Sequence, residues 1–158
     1  MSVVEKAVSD KLGSVSFHFT EPGVGEASLY KGGLKDRSHQ SMVVEAITLD
    51  KFFEIQGWPV VDVVKMDVEG AEKVALMGMK QLVLRNPSLK LVIEFSTETQ
   101  ANAGVSPREF FDTLINMGFQ KIWIINSGLK PFNVPDDIPR LVQIGWSNLF
   151  CERQTQQL

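Results

Sequence analysis

Three acidic side chains stand where two apolar segments of the sequence end. Asp67 and Glu69 follow the run 60–66, which contains four valines and a methionine, and Glu94 lies near the end of Leu89–Phe95. Apolar runs of this length are typical of strands buried on both faces of a parallel sheet. In open α/β sheets, ligands bind outside the carboxyl ends of the strands. We therefore predict that the three carboxylates converge at one edge of a sheet.

Such a group of carboxylates could bind a divalent cation, hold hydroxyl or amine groups of a ligand, or act as a general base. For Asp67 and Glu69 a functional role is favoured, because charges that close a buried apolar strand need a partner. For Glu94, a structural role as an acceptor for backbone amides stays open beside the catalytic one. Glu72 is expected to complement the dipole of a helix, and Lys65 to form an ion pair.

Other residues with chemical potential lack a supporting pattern. His18 and His39 have no second ligand at metal-binding spacing, so no metal site is assigned. The segment Gly23–Gly25 does not open an apolar helix, which a dinucleotide-binding loop requires. The sequence contains neither a Gly-Lys-Ser/Thr phosphate-binding loop nor a serine nucleophile elbow. Cys151 ends an apolar segment and is expected in the core.

The composition fits one globular domain, residues 1–158, with 44% hydrophobic and 22% charged residues. A net charge of −3 argues against a nucleic-acid partner, and no apolar run approaches the length of a membrane span. The sequence begins without a basic and then apolar leader, and it has a single cysteine. A cytoplasmic protein is therefore expected.

The predicted elements place the acids in an α/β fold. Strands are expected at Met1–Val8, Val15–Phe19 and Met42–Ile47, the last two antiparallel, with a loop from Thr20 to Gln40. From residue 48 onward helices and strands alternate, which favours a three-layer α/β fold. The expected order is helix 49–56, strand 60–67, helix 71–85, strand 89–95, helix 107–117, strand 119–126 and strand 146–151. The last two strands, joined without a helix, are expected to be antiparallel neighbours at one end of the sheet.

The run Val64–Glu72, VKMDVEGAE, resembles the signature of the FkbM-type S-adenosylmethionine-dependent methyltransferases. The resemblance extends over nearly the whole chain. Segments that agree in order with that family are Glu5–Asp10 with its third strand, Ala27–Leu29 with a loop piece, Ile47–Asp50 with the segment before the signature, Val92–Glu94 with its fifth strand and Ser147–Phe150 with its last.

This resemblance implies a three-layer, Rossmann-like methyltransferase sheet. It also implies transfer of a methyl group from S-adenosylmethionine to a hydroxyl of a small-molecule or sugar-containing acceptor. By the same resemblance, Ala7 and Val8 lie beside the adenine of the cofactor, and Asp67 lies near its methionine end or the reacting hydroxyl. Glu69 and Glu94 then line the acceptor side.

The sequence departs from the family pattern at its start. It lacks the glycine-rich loop that follows the family's first strand and the acid that ends the second. The expected sheet is thus truncated on its amino-terminal side, and weak or no cofactor binding is expected from this chain. Two other functions stay open: a non-catalytic binding or scaffold domain, and a metal-dependent hydrolase or phosphotransferase that uses Asp67, Glu69 and Glu94.

The same departure predicts an unpaired strand edge. In the sheet of that family the first strand pairs with the fourth, which here is Val60–Asp67. Without its neighbour, this strand would leave a row of backbone hydrogen-bonding groups unpaired. We expect one of two outcomes: Met1–Val8 moves in beside it, or another chain, such as a second copy in a homo-oligomer, covers it.

Overall fold

The computed structural model of the chain describes residues 2–19, 27–30 and 40–154, which form a mixed α/β fold with two sheets. The strands are β1 (Ala7–Val8), β2 (Gly13–Phe19), β3 (Ala27–Ser28), β4 (Gln40–Ile47), β5 (Val63–Met66), β6 (Lys90–Ser96), β7 (Phe119–Ile124), β8 (Lys130–Phe132) and β9 (Trp146–Arg153). The helices are α1 (Leu49–Ile55), α2 (Glu72–Met77), α3 (Lys80–Arg85), α4 (Thr97–Asn102), α5 (Pro107–Asn116) and α6 (Ile138–Ile144). A 3-10 turn spans Ile125–Ser127.

The amino-terminal sheet has the strand order β1-β4-β2-β3. Strands β2 and β4 are antiparallel, with Gly13 opposite Ala46 and Phe19 opposite Gln40, so the predicted pairing of these two segments is confirmed. The strand predicted at Met1–Val8 is reduced to the two residues of β1, which runs parallel to β4. The predicted loop contains the short strand β3, and its residues 20–26 and 31–39 lie outside the described residues.

The second sheet has the order β5-β6-β9-β7-β8, with β5 parallel to β6 and β9 antiparallel to both of its neighbours. The predicted antiparallel pairing of the last two strands is confirmed, since β7 pairs with β9. Their predicted place at one end of the sheet is wrong, because β9 lies between β6 and β7 and β8 forms the edge. The connection also contains a helix, α6, which supplies Leu141 to the core.

Strand β5 is a short edge strand, and the prediction that it is buried on both faces is wrong. Only β6 pairs with it among the described strands, and Val63 and Lys65 on one of its faces are exposed; Val63 is 55% exposed and Val60, three residues before the strand, 85%. The prediction that Met1–Val8 moves in beside this strand is also wrong, because β1 pairs with β4. Coverage of the edge by another chain stays a prediction.

The helix predicted at 71–85 is interrupted between α2 and α3. The Asp50 carboxylate on α1 accepts hydrogen bonds from the amides of Gln81 (3.0 Å) and Leu82 (2.8 Å). The Asp50 amide in turn donates to the Gly78 carbonyl at 2.8 Å. A continuous helix would use these groups internally. The contact with α1 therefore holds the two helices apart at Gly78, which is the carboxyl cap of α2.

The core lies on one face of the five-stranded sheet. Alternate residues of β6, Leu91, Ile93 and Phe95, are fully buried there against side chains of α2, α3, α5 and α6. The rings of Phe95, Phe110, Phe111 and Phe132 form a connected cluster with centroids 4.8–5.5 Å apart. The opposite face carries half-buried residues, among them Val92, Glu94, Trp123, Asn148 and Phe150. Because the described strands form two sheets, they do not form the single sheet that was predicted.

No helix in the described part of the chain is both long enough and apolar enough to cross a lipid bilayer.

Candidate functional site

The structure brings Asp67, Glu69 and Glu94 together at the carboxyl ends of β5 and β6. One carboxylate oxygen of each residue lies within 4.8 Å of the others. The parallel pairing of β5 with β6, in which Met66 stands opposite Ile93, produces this meeting. The predicted convergence is confirmed, whereas the chemical roles of the three residues stay predictions.

Asp67 directly follows β5 on the same side as Lys65, as the two-residue period of a strand requires. The Lys65 ammonium contacts the Asp67 carboxylate at 3.0 Å, which confirms the ion pair expected for that lysine. Both side chains are about half exposed, so water screens this pair and it contributes little to stability. Its effect is local, because it places a positive charge beside the group of acids.

Glu94 is the member of the group with a perturbed proton affinity. Its partial burial removes water from the carboxylate, and the negative charges of Asp67, Glu69 and Glu72 add to that effect, while Lys65 opposes it. Together these raise the pKa of Glu94 from 4.5 to about 7. A carboxyl group that exchanges its proton near neutral pH is suited to general acid–base chemistry.

The loop between Asp67 and Ala71 holds two residues in the left-handed backbone region, Glu69 with φ +51° and Gly70 with φ +95°. Glycine is required at the second position for a further reason. A Cβ there would lie 2.7 Å from the carbonyl oxygen of Thr99 on α4. A left-handed conformation is uncommon for a non-glycine residue such as Glu69 and costs free energy. The backbone that carries two of the three acids is therefore held by its surroundings.

Glu72 contributes more than the helix-dipole role that the sequence suggested. It lies in the first turn of α2, as expected, but its side chain is buried and takes part in hydrogen bonds with the loop. One carboxylate oxygen accepts from the amides of Val68 (3.2 Å) and Gly70 (3.3 Å). The other accepts from the side-chain amide of Gln100 on α4 at 2.5 Å. Nothing in the local sequence marked Gln100 as part of the site.

A cleft of about 920 Å³ separates the amino-terminal sheet from this loop. Asp67 and Glu69 line one side, and Ala7 and Val8 line the other. The rest of the wall combines apolar side chains with the charged Glu5, Lys6 and Glu45. Its large apolar members are Phe17 on β2, Leu29 after β3, and Met42, Val43 and Val44 on β4. The residues that the resemblance assigned to the cofactor, Ala7, Val8 and Asp67, thus share one cleft.

Ser28 connects the two sides of the cleft. Its hydroxyl donates to the backbone carbonyl of Glu69 at 2.6 Å and accepts from the amide of Tyr30 at 3.1 Å. The side chain is buried, so both hydrogen bonds are sheltered from water. Strand β3 is thereby attached to the loop that carries the acids, and the two sheets meet at the candidate site.

Asn148 is a neighbour of Glu94 that sequence reasoning missed. It stands directly opposite Glu94 across the β6–β9 pairing, and its backbone N–H donates to the side-chain Oδ1 of Asn126 at 2.8 Å. Facing residues of an antiparallel pair place their side chains on the same side of the sheet. Only the position of β9 beside β6 identifies Asn148 as a neighbour of Glu94, and that position depends on contacts distant in sequence.

The residues set aside earlier do not add to this site. Within the described ranges, Asp67, Glu69 and Glu94 form the one group of three side chains spaced to hold a metal ion. His18 is buried in β2, and His39 and Gly23–Gly25 lie outside the described residues. Cys151 is buried in β9, which confirms it as a core residue, and burial raises the pKa of its thiol.

Comparison with known protein families gives one match. The family model described as the methyltransferase FkbM domain matches residues 3–121 of the chain. The matched range includes both walls of the cleft, the three acids, Glu72 and Gln100, and it ends before β8, α6 and β9. Neither the curated proteins nor the solved structures contain a match to the chain.

Proposed function

This chain belongs to the FkbM methyltransferase family, and we propose that its cleft serves S-adenosylmethionine-dependent methyl transfer to a hydroxyl of a small-molecule or sugar-containing acceptor. The observation that carries the proposal is the placement of Ala7, Val8, Asp67 and Glu69 around one cleft, with Glu94 beside it. Methyl transfer in general follows from the family. The cofactor and the class of acceptor are our proposals.

The dimensions and chemistry of the cleft support this proposal. Its volume of about 920 Å³ is within the range of roughly 300–1,000 Å³ that small-molecule sites occupy. The small, partly buried side chains of Ala7 and Val8 leave room for a flat ring such as adenine. The acids at the opposite side favour polar and cationic groups of a ligand. S-adenosylmethionine, when bound, supplies a methyl group from a positively charged sulfur.

Glu94 acts as the general base in the proposed reaction. Bound S-adenosylmethionine would supply the methyl group to the acceptor oxygen, its sulfur would keep the bonding electron pair, and the hydroxyl proton would have to be removed. The carboxylate of Glu94 takes the proton, for which its pKa of about 7 is suited. Asp67 and Glu69 orient the acceptor and the charged end of the cofactor. Alignment of the two reacting atoms accounts for most of the rate gain in such a site.

The fold is consistent with a Rossmann-like methyltransferase domain, which is part of the proposal. Strands β5 and β6 are parallel and are joined through α2 and α3, the unit from which such sheets are built. The three carboxylates lie at their carboxyl ends, where ligands bind in open α/β sheets. We also propose a cytoplasmic setting, in which the buried thiol of Cys151 stays reduced.

Backbone amide NMR during titration with S-adenosylmethionine tests the cofactor, because it detects binding even at millimolar dissociation constants. We expect shifts at Ala7, Val8 and Val68. The variant Ala7→Glu, which places a charged chain in the cleft, should abolish them. Ala101→Glu is the matched control, because Ala101 is exposed on α4 and does not line the cleft.

The same titration separates the other two functions. Shifts caused by Mg²⁺ at Asp67 and Glu69, with none caused by S-adenosylmethionine, would support the metal-dependent hydrolase that the three clustered acids allow. No response to either ligand would refute the cofactor assignment and favour a binding or scaffold domain.

The exposed edge of β5 supports a second proposal, that two copies of the chain associate through it. Val63 on β5 and Val60 shortly before it are apolar and exposed, and among the described strands nothing pairs with the outer edge of β5. Light scattering during size exclusion at high concentration should give the mass of a dimer, and Val63→Lys should give a monomer. A monomer in the unmodified protein would contradict this proposal.

A further inference from the structure

Glu72 and Gln100 form a buried polar pair beside the candidate site. Each residue is 1% exposed. Burial of a carboxylate is costly unless hydrogen bonds replace the lost water. For Glu72 the replacements are the amides of Val68 and Gly70 and the side-chain amide of Gln100. A carboxylate that stays buried at this cost is expected to stabilise one conformation of the backbone around it.

What the pair holds is the loop that carries Asp67 and Glu69. The left-handed backbone of Glu69 and Gly70 persists only if its surroundings enforce it. The carboxylate of Glu72 accepts hydrogen bonds from the backbone amides on both sides of Glu69, and Thr99 of α4 packs against Gly70. The unfavourable conformation is therefore fixed from two directions.

The pair also connects the two strands whose ends form the site. Gln100 lies on α4, which begins directly after β6, and the hydroxyl of Ser96 caps this helix by accepting from the amide of Thr99 at 3.3 Å. Glu94 stands two residues before that cap. The Glu72–Gln100 hydrogen bond thus joins the loop that follows β5 to the helix that follows β6.

We infer that Glu72 and Gln100 are positioning residues, which fix the loop so that Asp67 and Glu69 face Glu94 and the cleft. Neither residue lines the cleft, so they act through the loop. The structural part of this inference is independent of the chemistry. Its consequence for ligand binding rests on the proposed function.

The orientation of the Gln100 amide suggests a swap of the two side chains. Its nitrogen donates to Glu72, while its buried oxygen has no hydrogen-bond partner in the described part of the chain. In the double variant Glu72→Gln/Gln100→Glu, the amide nitrogen at 72 can donate to the carboxylate at 100. The amide oxygen at 72 can still accept from the loop. The single variant Gln100→Glu instead places two carboxylates against each other.

Hydrogen exchange of individual backbone amides, measured by NMR without ligand, tests the structural part. In Gln100→Glu, exchange at Val68 and Gly70 should accelerate at least tenfold, which corresponds to about 1.4 kcal/mol. The double variant should reverse part of this acceleration; the reversal is partial because the buried carboxylate at 100 has a single hydrogen-bond donor. Gln100→Leu removes the donor without adding a charge, and exchange at the same two amides should accelerate in it as well. This variant tests the inference even if Gln100→Glu fails to fold. Glu54→Gln on the exposed side of α1 is the control and should change neither amide.

Titration of the same variants with S-adenosylmethionine tests the functional part. Dissociation constants should rise at least tenfold in Gln100→Glu and recover in part in the double variant. Equal acceleration of core amides such as Ile93 and Leu149, or no recovery in the double variant, would overturn the inference. Local acceleration with recovery, but no response to S-adenosylmethionine in any variant including the unmodified chain, would uphold the positioning role and refute the proposed cofactor.

Discussion

Replacement of Glu94 by glutamine should remove a pH-dependent contribution to the stability of the protein. Burial and the nearby acids raise the pKa of Glu94 from 4.5 to about 7. Between these two pH values the folded chain keeps a proton that the unfolded chain has released. Stability then falls as the pH rises, since it falls with pH wherever the folded state binds more protons. The favourable contribution is complete below pH 4.5 and is lost as the pH passes 7.

The size of the effect follows from the same numbers. A pKa that moves from 4.5 to about 7 corresponds to about 3 kcal/mol, at 1.36 kcal/mol for each factor of ten. Glu94 is only partly buried, so solvent screening reduces the measurable effect to about 1–2 kcal/mol. Glutamine has nearly the same volume and no proton to lose. The variant Glu94→Gln should therefore lose less stability than the unmodified protein between pH 5 and 8.

Urea unfolding at several pH values measures this difference directly. Relative to Glu94→Gln, the unmodified protein should lose about 1–2 kcal/mol between pH 5 and 8, whereas Glu54→Gln on α1 should follow the unmodified protein. NMR titration of the Glu94 carboxyl gives the pKa itself. Asp67→Asn should lower this pKa by removing a neighbouring negative charge, and Lys65→Met should raise it. Parallel stability curves for the unmodified protein and Glu94→Gln would refute the electrostatic reasoning.

Three further substitutions test contacts around the site by urea unfolding. Gly70→Ala should lower the free energy of unfolding by at least about 2 kcal/mol, because its Cβ would lie 2.7 Å from the Thr99 carbonyl oxygen in a left-handed backbone. Gly104 is also left-handed but has open space around it, so Gly104→Ala is the control and should lower that free energy by only about 1 kcal/mol. Asp50→Ala removes the acceptor for two amides at the start of α3 and should cost about 1–3 kcal/mol. Ser106→Ala breaks the capping box of α5 and should lower the free energy of unfolding by about 1 kcal/mol. An unchanged urea midpoint in Gly70→Ala, Asp50→Ala or Ser106→Ala would contradict the contact that the variant removes or disturbs.

Features that depend on neighbours in sequence were predictable. Helix α5 begins where Ser106, Pro107 and Glu109 indicate, with both hydrogen bonds of the capping box, and Thr48 caps α1. The alternating apolar residues of Val15–Phe19 and the apolar run Met42–Ile47 predicted two strands, which pair as β2 and β4. The meeting of Asp67 with Glu94 was predictable because it needs only two parallel strands with their ends in register.

Features that depend on distant contacts were not predictable. The break between α2 and α3 is set by Asp50, about thirty residues earlier in the chain. The place of β9 between β6 and β7 depends on pairing with strands distant in sequence, and an apolar strand such as Trp146–Arg153 fits either position. The burial of Glu72 depends on Gln100, whose amide is unmarked among the polar residues of α4. In each case a polar side chain or a strand is satisfied by a partner that no sequence spacing identifies.

The three acids all carry a carboxyl group, but their surroundings give them different exposure to water and different neighbouring charges. Asp67 is about half exposed and bonded to the Lys65 ammonium, so it presents a polar, hydrated end to the cleft. Glu94 is one strand further into the sheet, where it loses water and faces the charges of its neighbours. Two carboxyl groups whose environments differ in this way can divide ligand orientation and proton transfer between them. The division depends on the distance between them, and that distance is set by the loop that Glu72 and Gln100 hold. Gln100→Leu removes that hydrogen bond and leaves the Glu72 carboxylate in place, so it should alter the pKa of Glu94 through the loop; NMR titration of the Glu94 carboxyl measures the change.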